Sequence, residues 1–287
     1  MKHKLAVAAS ILNRVKLPKI PNEVSRLQDE SLKPDPDVIV ISECISRNPK
    51  LLTKFLTVAS FVTKKEIKTA RQAVDALGTK GVFTVFFSSS IEFSFQATGD
   101  SIQIVNHAIK IATAMGDLAM HVEEMNPSDA YLYGLLYNVG YIVLSLYDPD
   151  GYKACYLASV LAPSTSEAKE LEAYGTTNNF IGVYVAKKWH VRNAIYSGIL
   201  FQQSSPKKCP DGKNKAYELV NLLNIARSVV GETEEARYLT DEVRLQAKES
   251  MTRLNIGNIK YINAQKKVRK MTKDLQAFPK DFLEEEA

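Results

Sequence analysis

The sequence predicts an all-α protein, and three observations carry that expectation. Apolar residues recur at helical spacing along almost the whole chain, and the breaks between these stretches carry helix-capping side chains or glycine. Only the stretch 82–87 is strand-like in its β-branched and aromatic content, and no second such run exists to pair with it, so it too is read as helix. With 287 residues, 45% of them apolar, the chain can bury about three quarters of its unfolded surface, which excludes a disordered chain or a disulfide scaffold.

At the N-terminus, Met1-Lys2-His3-Lys4 before the apolar run Leu5 to Leu12 loosely imitates a secretory signal. The run is short, Asn13-Arg14 follows it, and Leu5, Ala8, Ala9 and Leu12 fall at i, i+3, i+4 and i+7, so an amphipathic helix is expected instead. Asp35-Pro36 and Asn48-Pro49 each place a capping side chain before a proline, whose missing N–H costs nothing at the first helical position. Two helices should start there, the second with a stripe of Leu52, Phe55, Leu56 and Ala59. Thr63-x-x-Glu66 has the capping-box pattern and leads into Ile67, Ala70, Val74 and Leu77, with a stop at Gly78.

From Ser101 to about Val122 a long stripe runs through Ile104, Ala108, Ile111, Met115, Leu118 and Val122. Ser128 should open the next helix, which carries Leu132, Leu135, Leu136 and Val139. Ser164-x-x-Glu167 is expected to cap a helix ending at Gly175, and Leu219, Leu222, Leu223, Ala226 and Val229 stripe another that ends at Gly231. The clearest turn-rich connection is 204–215, with Pro206, Cys209-Pro210 and Asp211-Gly212. There is no internal repeat. No uninterrupted apolar stretch reaches the ~18 residues of a membrane span, so a soluble protein is expected.

Chemistry-bearing patterns are few. The three cysteines, Cys44, Cys155 and Cys209, are far apart and form neither a CxxC pair nor a zinc knuckle, which fits a reduced, cytoplasmic compartment. Phosphate-binding glycine loops and the GxSxG nucleophile elbow are absent, and the run Ser88-Ser89-Ser90 has no activating base beside it. His107 and His121 are expected on one helix about 21 Å apart, too far to share an ion. His121 has Asp117 at i−4 and Glu124 at i+3, which reads as a solvated charged face, and His190 after Trp189 reads as a helix-end contact. The net charge of +5 traces to six cations within 260–273 (Lys260, Lys266, Lys267, Arg269, Lys270 and Lys273), because the other 31 basic residues face 32 acidic ones. Aromatic interleaving there is limited to Tyr261, and the sign reverses at Glu284-Glu285-Glu286, so a solvated helix face is expected rather than a nucleic-acid site.

Several segments in order resemble one family, the HDOD domain, a non-catalytic branch related to the HD-type metal-dependent phosphohydrolases. Leu17-Pro18-Lys19-Ile20-Pro21 is similar to the family's LPxLP opening, and Ile45-Ser46-Arg47-Asn48-Pro49-Lys50-Leu51 to its I-x-x-D-P-x-L step. Gln72-Ala73-Val74-Asp75-Ala76-Leu77-Gly78 resembles QAIxxLG, and Gly134-Leu135-Leu136-Tyr137-Asn138-Val139-Gly140 resembles GLLHDIG. Tyr174-Gly175-Thr176-Thr177-Asn178 and Gly182 fall where the family has G-x-x-H-x-x-x-G. The resemblance implies an HD-domain-like helical bundle with an N-terminal helical subdomain. Residues 1–100 would form that subdomain, 101–205 a degenerate HD-like core, and 206–287 the C-terminal helices completing it, ending in the acidic tail.

The departures from the pattern define the candidate site. Tyr137-Asn138 stands where catalytic relatives have His-Asp, Asn178 where a later His falls, Gln202-Gln203 where there is a His-His pair, and Asn224 where there is an Asp. Only His107 lies where the resemblance implies a metal ligand. Asn and Gln offer neutral carbonyls and a phenol stays protonated, whereas divalent metals in such sites need imidazoles and anionic carboxylates. The resemblance thus implies no metal or other cofactor, no catalysis, and a hydrogen-bonded polar network in the former pocket. The expected function is that of a cytoplasmic bacterial signal-transduction protein acting on a protein partner. The alternative is a divergent phosphohydrolase of nucleotides or cyclic dinucleotides that uses His107.

Overall fold

The structure is a computed structural model that describes residues 2–15, 21–96, 102–204, 214–234 and 239–277. Among the described residues there are fifteen α-helices and no strand. The chain divides into two compact units, Pro18–Gly99, and Met1–Leu17 together with Asp100–Ala287.

The first unit holds α2 (Asn22–Ser31), α3 (Val38–Ser46), α4 (Pro49–Thr63) and α5 (Ala70–Gln96). Asp37, not Asp35, opens α3, its carboxylate accepting from the Ile39 N–H at 2.7 Å. The α4 start is at Asn48-Pro49 as expected, Asn48 Oδ1 accepting from the Leu51 N–H at 3.0 Å. Its buried face is Leu51, Phe55, Val58, Ala59 and Val62, so the apolar stripe is rotated and Leu52 and Leu56 are half-buried. Thr63 closes α4 instead of opening a helix: its hydroxyl donates back to the Ala59 carbonyl at 2.7 Å and Lys64 turns left-handed. The cap lies six residues later, where Thr69 Oγ1 accepts from the Gln72 N–H (3.2 Å) and Gln72 Oε1 from the Lys68 N–H (2.8 Å). At Gly78 the backbone leaves the helical region (φ 67°, ψ 168°) and splits α5, which residues 82–87 then continue as helix. Ser88, Ser89 and Ser90 are buried there, each hydroxyl donating to the carbonyl four residues back at 2.8 Å.

The second unit begins with α1 (Lys2–Arg14), which packs on α8 and α11 with Ala8 and Ile11 buried. Residues 1–17 therefore cluster with 100–287, whereas the sequence reading grouped them with 18–100. Next come α6 (Ile102–Ala119), α7 (Pro127–Leu136), α8 (Val139–Tyr147), α9 (Tyr152–Leu161), α10 (Glu167–Tyr174), α11 (Asn178–Lys188), α12 (Asn193–Phe201), α13 (Lys215–Thr233), α14 (Asp241–Arg253) and α15 (Asn258–Ala277). The α6 stripe from Ile104 to Leu118 is buried, but the helix stops at Ala119 and His121 lies in the following turn, so His107 and His121 do not share a helix. Asn126, not Ser128, caps α7, accepting from the Ser128 N–H at 2.8 Å. Ser164 does not cap α10 either: its N–H and hydroxyl both donate to Glu242 Oε1 on α14 (2.9 and 2.7 Å). That helix does end at Gly175, left-handed at φ 68°, while α13 runs two residues past Gly231. His190 sits left-handed just past the end of α11, donating its N–H to the Lys187 carbonyl.

An 18-residue window within Pro127–Tyr147 has a mean hydropathy of 1.2, enough in length and composition to cross a bilayer although polar residues interrupt it. That window is 83% buried inside the protein, and the segment is two helices joined at Tyr137-Asn138. Residues 17–20 of the opening motif, most of the 204–215 connection with Cys209, and the tail with Glu284, Glu285 and Glu286 lie outside the described residues.

Candidate functional site

Tyr137 and Asn138 form the junction of α7 and α8, and glycine packing fixes it. Gly134 lies so close to α6 that a Cβ would come 2.5 Å from Ala112 Cα. Gly140 lies so close to the start of α11 that a Cβ would come 1.9 Å from the Asn178 carbonyl oxygen. The glycines of the Gly134-to-Gly140 segment therefore serve close helix approach, independently of the chemistry at 137 and 138.

At the start of α11, Thr177 occupies the N-cap position without a side-chain cap bond. The cap is Glu170 of α10, whose Oε2 accepts from both the backbone N–H and the side-chain amide of Asn178 at 2.8 Å. Its other oxygen accepts from the Tyr152 hydroxyl at 2.6 Å. Burial pushes the Glu170 carboxyl above the usual range, opposed by those three hydrogen bonds.

From Asn178 the amides run on as a network. Gln202 Nε2, just after α12, lies at donating distance from Asn178 Oδ1 (2.9 Å), Asn179 Oδ1 (2.6 Å) and the Tyr137 carbonyl (3.2 Å). Asn179 Nδ2 donates to Glu167 Oε1 (2.8 Å) and Gln203 Oε1 (3.2 Å), and Gln203 Nε2 to Ser166 Oγ (2.9 Å). Asn178, Asn179, Gln202 and Gln203 are all buried. The predicted positions 137, 178, 202 and 203 are thus brought together.

Asn224, on α13, joins through a residue the sequence reading missed. Arg227 Nη1 donates to Asn224 Oδ1 (3.3 Å) and to the Gln202 carbonyl (3.1 Å), and its guanidinium lies 5.7 Å from the centre of the Tyr137 ring. Asn138 points elsewhere: its Nδ2 donates weakly to the Ile104 carbonyl at 3.4 Å, and its Oδ1 is buried without a hydrogen bond among the described residues.

His107 of α6 borders a cavity with Tyr137, Asn138, Tyr141, Ser159, Val160, Arg227 and Val243. Its volume open to water centres is about 20 Å³, roughly the room one water needs. Burial raises Tyr137 well above the ordinary phenol range and pushes Tyr141 up to about 12, so both line it as neutral hydroxyls at pH 7.

The one imidazole in the set is already engaged. His107 Nδ1 lies 3.4 Å from Glu234 Oε2, and Lys110 Nζ lies 2.6 Å from Glu234 Oε1. Burial disfavours the Glu234 charge, but His107 and Lys110 outweigh it and hold the carboxyl at about 2. A carboxylate with a depressed folded-state pKa stabilises above its unfolded pKa and loses that contribution as pH falls. Here the window runs from about pH 5 down to about pH 2, and the shift corresponds to about 3 kcal/mol. Glu234→Gln should therefore be less stable than the parent at pH 7 and converge with it near pH 2, as read by urea unfolding across that range.

Among the described residues no group of three or more His, Cys, Asp or Glu is placed to hold a metal ion. A divalent ion in the cavity would meet the neutral Tyr137 and Tyr141 hydroxyls, the Asn138 amide and the Arg227 guanidinium, while the Glu170 carboxylate is taken up by Tyr152 and Asn178 and that of Glu234 by Lys110 and His107. The residues present do not fit such an ion.

Comparison with known proteins bears on this geometry. The profile of the family described as HDOD domain matches residues 17–205. A Geobacter sulfurreducens structure, an HDOD domain protein with unknown function, is similar at TM-score 0.65 and 18% identity, covering 96% of this chain and 97% of that one. A Shewanella amazonensis SB2B structure named "Putative metal-dependent phosphohydrolase" is similar at TM-score 0.66 and 15% identity, over 94% of this chain and 99% of that one. One from Marinobacter aquaeolei VT8, named "Putative signal transduction protein", gives 0.58 and 17% over 95% of this chain and 66% of that one. These likenesses show a shared helical fold. An uncharacterized protein of Treponema pallidum (strain Nichols) is 25% identical over 263 residues, 85% of this chain, and the chain spans about half the length of that curated relative.

Proposed function

The chain belongs to the HDOD domain family, and from that premise we propose that it is a regulatory protein working by binding a protein partner, with the metal chemistry of the HD-type hydrolases lost. The observation that carries this reading is the replacement of a ligand set by a buried amide network. Asn178, Asn179, Gln202 and Gln203 hydrogen-bond one another and two glutamates, only Gln202 Oε1 among the four lacking a partner among the described residues, and Arg227 supplies the positive charge. A metal's role in such chemistry is to bring a bound water to a pKa near 7 and neutralise developing charge. Residues 137, 138, 178, 202, 203 and 224 carry no anionic donor to hold one.

The cavity adds a second argument. With room for roughly one water, the cavity is too small to enclose a nucleotide. The fold and its helix-packing glycines persist, which suits a scaffold whose outer surface does the work.

Two of the similar structures carry phosphohydrolase names, so hydrolysis is the reading to test against. Full-length protein supplied with Mn²⁺, Fe²⁺, Ni²⁺ or Zn²⁺ should release no product from nucleotides or cyclic dinucleotides above the protein-free rate. Multiple turnovers that disappear in His107→Ala would overturn the proposal.

A further inference from the structure

Helix α15 has two unlike faces. Ala264, Gln265 and Val268 are buried and turn inward, and the helix packs against α6 and α13. At 100° per residue, Ile259, Ile262, Lys266, Arg269, Lys270 and Lys273 fall on the opposite side, and all six are exposed. Ile259 is 77% exposed and Ile262 47%. The stripe is about 21 Å long, with Lys267 at its margin and no acidic residue between positions 258 and 273.

Among the residues with described side chains, none forms an ion pair with Lys260, Lys266, Lys267, Arg269, Lys270 or Lys273, and the first acid after the row in sequence is Asp274. Elsewhere lysines such as Lys54, Lys110 and Lys215 do find carboxylates. A single-sign row ending in two solvent-facing isoleucines has a complement that is anionic and apolar together.

We propose that this face of α15 docks on an anionic lipid bilayer, the isoleucines entering the headgroup boundary and the cations lying over lipid phosphates. Three observations select a bilayer over other polyanions. The only aromatic residue of α15 among those with described side chains, Tyr261, is half-buried, its hydroxyl 2.8 Å from Ser228 Oγ, so the exposed face has no platform on which nucleic-acid bases stack. Three of the face's four cations, and Lys267 at its margin, are lysine, the residue depleted from protein interfaces and unsuited to bidentate carboxylate recognition, yet able to snorkel. The two large exposed aliphatic side chains have no role on a phosphate backbone and fit an acyl-chain boundary.

The test is sedimentation of full-length protein with vesicles of phosphatidylcholine containing about one part in three of phosphatidylglycerol, at low and at high salt. Binding should appear with the anionic vesicles, fall as salt rises, and be absent with phosphatidylcholine alone. Replacing Lys266, Lys270 and Lys273 by Gln should weaken it about a hundredfold, at roughly fivefold per cation. Ile259→Ser with Ile262→Ser should weaken it about tenfold at unchanged net charge. All these sites are exposed, so the variants should keep the parent's thermal unfolding transition. Absence of sedimentation at low salt, equal binding to neutral vesicles, or isoleucine variants that bind like the parent would overturn the proposal. So would tighter binding to duplex DNA than to anionic vesicles, which would assign the row to nucleic acid.

Discussion

Gly140→Ala should be among the most damaging single substitutions in the chain, lowering unfolding free energy by about 4 kcal/mol or abolishing soluble expression. Its new Cβ would lie 1.9 Å from the Asn178 carbonyl oxygen, 2.6 Å from the carbonyl carbon and 2.8 Å from Cα. Overpacking ordinarily costs about 1–3 kcal/mol because a neighbouring side chain yields. Here the obstacle is backbone, at the residue that begins α11 and carries the amide network, so α8 and α11 must part. Gly257→Ala is the matched control, since nothing lies within 4 Å of its would-be Cβ, and it should change stability by less than about 1 kcal/mol. The midpoints of urea unfolding compare the two directly. A Gly140→Ala protein as stable as its Gly257→Ala counterpart would mean that the α8–α11 approach is not this close.

Glu170→Ala should cost about 3–5 kcal/mol. Its carboxylate is fully buried and is the shared acceptor for the Tyr152 hydroxyl and two N–H groups of Asn178. Removing it leaves a buried phenol and the first backbone N–H of α11 without their acceptor, and frees Asn178 from the geometry that presents Oδ1 to Gln202. Glu170→Gln keeps an accepting oxygen and removes a charge that burial disfavours, so its cost should be about half as large. Thermal unfolding of the three proteins gives the order parent, Gln, Ala. If Ala proved as stable as Gln, the carboxylate would not be the cap of α11.

Much of the fold was legible because helical patterning is redundant. The stripes of α6 and α13, the Asn48-Pro49 start and the breaks at Gly78 and Gly175 each rest on several residues or on a backbone angle only glycine adopts easily. At Asp35 and Ser128 a second capping residue two positions away, Asp37 or Asn126, takes the cap, whereas the boxes at Thr63 and Ser164 are misplaced for one reason. A capping residue followed by an acid or amide three positions on is common, and which instance closes a helix depends on tertiary partners, as Glu242 shows for Ser164.

The candidate site was legible in part. Tyr137, Asn178, Gln202 and Gln203 follow from the motif order, and the structure brings them together. Asn179, Glu170 and Arg227 were missed. Arg227 has a signal in retrospect, a lone cation in the apolar run from Leu219 to Val230. Glu170 has none, since Glu167, Glu170 and Glu172 look alike in sequence and only burial separates them. The motif's glycines and its polar pair turn out to be separable: packing retains Gly134 and Gly140 whatever residues stand at 137 and 138.

The central claim is that the HD-like pocket is held by amides and an arginine instead of a metal. Elemental analysis of freshly purified full-length protein, made without chelator, tests it most directly. The account predicts Mn, Fe, Co, Ni and Zn each far below one equivalent, in the parent and in Arg227→Met alike. One or more equivalents that survive dialysis, and are lost on His107→Ala, would contradict it.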